Sequence, residues 1–268
     1  MKNTMKVLFI GDIVGRSGRK ILAKKWDLLK NKFNFDIVIC NGENSAGGLG
    51  INAKTAEELL ELGVDGITLG NHTWGQREWL SQAFHYEQIC RPINSPEEWP
   101  GYDHLFIEKD QFKIIVINLL GQAFMQPVLL NPFQMIENKI TYLKEKYQTK
   151  NIIIDFHAES TAEKMMMGYF LQDKVSAILG THTHVQTADE KILGNGTGYI
   201  SDVGMTGPSN GVIGMDKKIA LRRVLDQLPS TYRLEKSDQV MLNAVLLTLD
   251  ARAGQCIKIE RIFLEEKL

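Results

Sequence analysis

The chain has 268 residues, 44% hydrophobic and 24% charged, a composition that excludes a disordered chain and gives ample length for a packed core. Its 31 basic and 32 acidic side chains leave a formal net charge of −1, which removes any global electrostatic case for duplex nucleic acid or an anionic membrane, though not for a local basic pocket. No apolar run approaches the roughly 20 residues of a membrane span, the amino-terminal apolar stretch is too short for a signal peptide, and Cys40, Cys90 and Cys256 are widely spaced; a soluble, cytoplasmic protein with reduced thiols is expected.

In chain order, a first strand is predicted at about residues 5–11, and Ile21, Leu22, Trp26 and Leu29 give helical spacing within Arg19–Lys32. A second strand follows near 36–41, then a helix at Thr55–Leu62 with Thr55 and Glu58 as a capping box, then a strand at about 66–69. This βαβαβ order favours a parallel sheet. Residues 91–104 hold three prolines and read as an irregular surface loop, and HLFIEKD with FKIIVINLLG reads as an antiparallel hairpin. Helix is predicted at Pro132–Tyr147 with Asn131 as N-cap, strand at 151–156, helix at 161–171 and strand at 175–179. YISDVG is a short strand, MTGPSNGVIGM a glycine-rich loop and Lys217–Leu228 a helix; strands at about 239–249 and 256–264 close the chain as a hairpin across Ala251–Gly254. Parallel units beside an antiparallel tail predict a pair of sheets covered by helices, within one domain spanning 1–268.

The apolar runs end on chemically distinctive residues: VLFIGD on Asp12, DIVICNGEN on Glu43 and Asn44, GITLGNH on Asn71 and His72, IIIDFH on His157, and AILGTHTH on His182 and His184. Runs of this kind are strands buried on both faces, and the carboxyl edge of such a sheet is where ligands usually bind. Four of the six histidines would then face one point. His182 and His184 lie two apart, so an extended backbone projects both to one side. Gly70 leaves room, Asn71 offers a neutral oxygen and His72 a proton donor. Singly, Asp12 or Glu43 also reads as a helix cap or a solvated acid, and His-x-His as a surface-loop pair. Jointly they resist explanation by packing, because buried carboxylates and imidazoles without a metal are costly to desolvate. The mixed donor set suits Fe, Mn or Zn better than calcium. Two divalent cations less two carboxylates leave a charge of about +2, which one bridging hydroxide and one phosphodiester anion neutralise; this favours two metals about 3.5–4 Å apart.

The order Asp12, Gly42-Glu43-Asn44, Gly70-Asn71-His72, His157 and Gly180-Thr181-His182-Thr183-His184, with the strings DFHAE, GTHTHVQT and DVGMTGP, resembles the calcineurin-like metallophosphoesterases over essentially the whole chain. The likeness is greatest to their YmdB-type branch of bacterial cyclic-nucleotide phosphodiesterases. The resemblance implies a four-layer α/β/β/α sandwich of mixed sheets with a dinuclear centre at one rim. It implies Asp12, Glu43, Asn71, His157, His182 and His184 as metal ligands with Glu43 the bridge, His72 as catalytic acid and Asn44 as an accessory polar contact. It also implies hydrolysis of 2′,3′- or 3′,5′-cyclic nucleotides or another small phosphodiester by a metal-bridging hydroxide; RNA ends stay open as an alternative substrate. Three positions depart from the broader pattern: Asp12-Ile13-Val14 stands where Asp-x-His is common, Glu43 where Asp is commoner, and Thr73 where an acid often follows the histidine. The missing imidazole makes the first metal site nitrogen-poor, so iron or manganese is expected, with zinc the alternative.

Gly11 to Gly18 follows a strand and precedes a helix, but its spacing is not G-x-G-x-x-G; the glycines are read as letting the turn pass close to the metals, with Arg16 a phosphate contact. The competing reading of the whole chain is a metal-stabilised regulatory or scaffolding protein with little turnover. Met165, Met166 and Met167 read as core filler, His85 and His104 as surface residues, Trp74 as either a base-stacking group or packing beneath the site, and Asp202 to Gly211 as either a lid or a contact in a homo-oligomer.

Overall fold

A computed structural model of the protein describes residues 3–229 and 231–268. The first apolar run forms β1 (Thr4–Ile10), continues as β2 (Asp12–Ile13) and enters α1 (Gly15–Phe33). This helix starts at Gly15 and not at Arg19, because Gly18 packs directly against the Thr206 carbonyl, where a Cβ would collide. The second half of the Gly11 to Gly18 segment is therefore the helix's first turn, and its first half holds β2. After β3 (Ile37–Asn41) comes α2 (Ala53–Leu62), whose N-cap is Asn52. The Asn52 side chain accepts from Thr55 N at 3.0 Å and Thr55 Oγ1 accepts from Asn52 N at 3.2 Å, so Thr55 is the third helical residue of the box and not its cap.

The chain goes on through β4 (Gly66–Thr68), the short α3 (Trp79–Gln82), β5 (Ile89–Cys90), the hairpin β6 (Leu105–Lys109) and β7 (Phe112–Leu120), α4 (Pro132–Tyr147), β8 (Ile152–His157), α5 (Thr161–Leu171), β9 (Ala177–Thr181), β10 (Lys191–Leu193) and β11 (Thr197–Ile200). It ends with β12 (Met205–Pro208), α6 (Lys217–Asp226), β13 (Gln239–Asp250) and β14 (Gln255–Lys267). Thus the start of the expected glycine-rich loop is a strand: β12 sits between β2, parallel, and β13, antiparallel. Helix α6 buries none of its residues.

The first sheet runs β2-β12-β13-β1-β3-β4-β5, with β14 on β13, and the second runs β10-β11-β9-β8-β7-β6. Both are mixed: β1, β3, β4 and β5 are parallel neighbours, as are β7, β8, β9 and β11, with antiparallel strands at β13, β6 and β10. Three apolar clusters define the layers. Ile21, Leu22 and Leu59 of α1 and α2 pack on Leu8 and Val38 of the first sheet. Phe9 and Ile39 meet Val116 and Leu179 between the sheets, and Ile140 and Met167 of α4 and α5 cover Ile154 and Ile178. The result is an α/β/β/α sandwich.

Some bland expectations change. Residues 91–95 are buried: the Arg91 guanidinium donates to the carbonyls of Pro92, Trp99 and Gly101, supplying the partners that an irregular buried backbone requires. His104 is not a surface residue; it bonds Asp103 Oδ1 through Nδ1 and Tyr147 Oη through Nε2. Of the three methionines only Met167 is core, since α5 turns Met165 and Met166 outward. The three cysteines are free and buried. No described helix is long and apolar enough to cross a membrane.

Candidate metal centre

Strands β1, β3 and β4 of one sheet and β8 and β9 of the other end on a common rim, and the expected donors meet there. His157, the last residue of β8, is wholly buried. Its Nε2 lies 3.1 Å from Glu43 Oε1, 3.0 Å from Asn71 Oδ1 and 3.1 Å from His182 Nδ1. Glu43, His157 and His182 all offer donor atoms within 4.8 Å of one another. Asp12 Oδ2 accepts from His182 N at 3.0 Å, while Asp12 Oδ1 is buried with no hydrogen-bond partner. Gly70 precedes Asn71 because a Cβ there would collide with the Glu43 carboxylate and the His157 ring.

The partners outside this cluster fix which nitrogen of each ring carries the proton. Thr181 Oγ1 donates its single hydrogen to Asp155 Oδ1 at 2.6 Å, so toward His157 Nδ1, 2.8 Å away, it can only accept. His184 Nδ1 donates to Ile213 O at 2.9 Å, and His182 Nε2 faces Glu159 Oε2 at 3.1 Å. All three imidazoles thereby spend an outer N–H on the protein and turn their other nitrogen inward, as metal-binding histidines do. His157 Nε2 and His182 Nδ1 are then two lone pairs 3.1 Å apart, beside two acceptor oxygens. Such an arrangement requires a positive charge between the groups. One proton on His157 Nε2 can satisfy one acceptor; a cation satisfies them all. The donors present therefore fit a metal ion.

The electrostatics agree. Burial opposes ionisation of Glu43, yet His157 and His72 outweigh it and hold this carboxyl well below the usual range. Burial also opposes a charge on His157, but Glu43 and Asp12 lift it to about 9, so that without a cation a proton takes the cation's place on Nε2. Burial, then neighbouring His157, pushes His182 down to about 3, which keeps it neutral. Asp12 is pushed up by burial despite His157, the mark of an anion short of positive charge.

Asn44 ties the remaining residues together. Its Oδ1 faces His72 Nδ1 at 3.0 Å, and its Nδ2 reaches Glu43 Oε1 at 3.0 Å and His184 Nε2 at 3.2 Å. The His72 backbone N–H donates to Glu43 Oε2 at 3.0 Å, and its ring is about one-third exposed. Arg16 stands elsewhere: exposed on the first turn of α1, it lines a separate cavity of about 530 Å³ with Arg19, Lys20 and Lys54.

Several supporting residues escaped the sequence reading. Asp155 holds Thr181 and also accepts from Asn41 Nδ2 at 2.9 Å. Its signal was present, since an aspartate two residues before His157 in an apolar strand shares that face. Asp202 receives Lys164 Nζ at 2.6 Å, Thr183 Oγ1 at 2.7 Å and Thr183 N at 3.0 Å. This pins the turn in which His182 and His184 both adopt positive φ, 97° and 67°, a conformation costing non-glycine residues about 1–3 kcal/mol each.

The same fold and sequence pattern recur in known proteins. A family model described as "YmdB-like protein" matches residues 8–262. The 2′,3′-cyclic-nucleotide 2′-phosphodiesterase of Bacillus subtilis is 39% identical over 262 residues, covering 98% of each chain. Among solved structures, a phosphatase from Mycoplasma pneumoniae superposes with a TM-score of 0.93 at 36% identity, over 100% of this chain and 95% of that one. A hypothetical protein from Thermus thermophilus superposes with a TM-score of 0.89 at 33% identity, over 98% and 100%.

Proposed function

The chain belongs to the YmdB-like family, and on that footing we propose that it is a metal-dependent phosphoric diester hydrolase acting on 2′,3′-cyclic nucleotides or related small phosphodiesters, including the cyclic ends of RNA. The observation that carries this reading is the inward convergence of His182 Nδ1, Glu43 Oε1 and Asn71 Oδ1 on His157 Nε2, each about one hydrogen-bond length from it, on a fold shared with a phosphatase. Asp12, Glu43, Asn71, His157, His182 and His184 would hold two metal ions, which supply Lewis acidity toward the phosphoryl oxygens and a hydroxide at neutral pH. One apolar layer joins both sheets and the donors come from both, which supports reading 1–268 as a single domain.

The chain's own contribution to bond breaking is His72. Its Nδ1–H points to Asn44 Oδ1, and Glu43 and His184 hold the Asn44 amide through its Nδ2, so the ring is oriented and, in the form protonated on both nitrogens, gives its Nε2 proton to the departing ester oxygen. The nitrogen-poor donor set around Asp12 favours iron or manganese over zinc.

The test is incubation of protein loaded with Mn²⁺ or Fe²⁺ with 2′,3′-cyclic nucleotides, with products separated chromatographically. Opening of the 2′-ester, the specificity named for the Bacillus subtilis relative, gives the nucleoside 3′-phosphate. Metal-loaded protein with no turnover on any cyclic nucleotide or simple phosphodiester would favour the scaffolding reading instead. Activity restored by zinc alone would sink the metal assignment without touching the reaction.

A further inference from the structure

Beside His72 the surface opens into a cavity of about 470 Å³, within the range of small-molecule sites. Asn71 and His72 form one end; Trp74, Trp99, Leu80 and Pro127 supply apolar walls. The two indoles stand edge to face, with centroids 4.6 Å apart and planes at 87°. Trp74 Nε1 donates to Pro100 O at 3.3 Å, which fixes that ring and spends its one donor inside the protein. The chain's other tryptophans behave differently: Trp26 is 8% exposed and Trp79 1%, both in the core. Leu80, in contrast, is 46% exposed on the cavity wall. An oriented aromatic corner bordering a cavity beside a proton-donating histidine suits a flat aromatic ligand.

We propose that this corner is the nucleobase subsite of the enzyme: the base of the substrate stacks on one of the two indoles and meets the other edge to face, while its phosphate lies at the donor cluster. The proposal rests on the phosphodiesterase reading of the adjoining centre. The lining also sets the specificity. Its polar side chains, Asn71 and His72, are engaged with His157 and Asn44, which leaves stacking as the main contact. Stacking reads a π-face that every base has. The subsite therefore distinguishes nucleotides from base-free phosphodiesters and accepts purines and pyrimidines alike.

The test uses the metal-loaded full chain with 2′,3′-cyclic AMP, 2′,3′-cyclic UMP and glycerol 1,2-cyclic phosphate. Wild type should prefer both nucleotides over the glycerol ester by kcat/KM, with the two nucleotides within about fivefold of each other. Trp74→Leu should shrink that preference by about 10-fold or more, chiefly through KM, and Trp74→Phe should retain most of it. A preference unchanged in both Trp74→Leu and Trp99→Leu overturns the subsite. If wild type hydrolyses none of the three, the phosphodiesterase reading fails separately, and tryptophan fluorescence still decides the subsite. Trp26 and Trp79 are buried, so AMP and UMP should quench through Trp74 and Trp99 where ribose 5-phosphate does not; absence of that difference overturns the proposal.

Discussion

Replacing Thr181 by valine removes one oxygen from the support of the candidate centre while keeping a branched side chain of similar size. That oxygen accepts from His157 Nδ1 at 2.8 Å and donates to Asp155 Oδ1 at 2.6 Å, and both neighbours are fully buried. Without it His157 is free to carry its proton on Nε2, which turns an inward lone pair into an N–H that opposes a cation. Outer partners of this kind are worth about 10- to 100-fold in metal affinity, or about 1.4–2.7 kcal/mol. Asp155 keeps the Asn41 donor at 2.9 Å but loses its shortest hydrogen bond, a loss of about 1.5–3 kcal/mol of folding stability for a charged acceptor. Chelator-competition titration with Mn²⁺ should show the affinity loss, urea unfolding of metal-free protein should show the stability loss, and Thr181→Ser should recover both. A valine variant that loses stability but binds Mn²⁺ within threefold of wild type would refute the tautomer argument and reduce Thr181 to a packing role.

Three further outcomes follow from the same geometry. His72→Ala should keep its metals, by elemental analysis, and lose about 10²- to 10⁴-fold in turnover on alkyl or nucleoside esters, with a much smaller loss on nitrophenyl esters that need no proton; equal losses on both would remove His72 as the acid. Glu43→Gln should lower metal occupancy after gel filtration, because it deletes one of the two carboxylates proposed to bind metal while nearly preserving shape; full occupancy would contradict Glu43 as a ligand. Asp103 is held well below the usual carboxylate range, where burial opposes its charge but His104 and Lys139 outweigh it. A depressed folded-state value means that its stabilisation is complete above the unfolded value of about 3.9 and is lost as pH falls below it. The Tm gap between wild type and Asp103→Asn should therefore be constant from pH 7 to about pH 5 and narrow toward pH 2; a gap independent of pH would show that the charge contributes nothing.

How much of this was legible in the sequence depends on which distances the contacts span. Strand ends were readable because apolar runs stop where side chains face solvent or a site, and β8 indeed delivers His157 as its last residue. Helix α4 was readable to its ends because Asn131 and Pro132 are local signals, and the Asn131 side chain accepts from Phe133 N. Strand β12 was hidden because its glycine and proline suit a loop, and only pairing with β2 and β13, far away in the chain, makes it a strand. The supports of the centre were hidden for the same reason. Asn41 reaches Asp155 across 114 residues, and Asp12 reaches His182 N across 170. Periodicity assigns a residue to a face but does not say which strand lies beside it, so the candidate donors could be read as a set while the groups that orient them could not. That asymmetry locates where the chemistry is controlled. Each inward nitrogen is available because a residue from a distant strand or loop takes the proton on the other side of its ring, and so the sandwich's packing order, more than the ligand list, decides whether the cluster holds a cation.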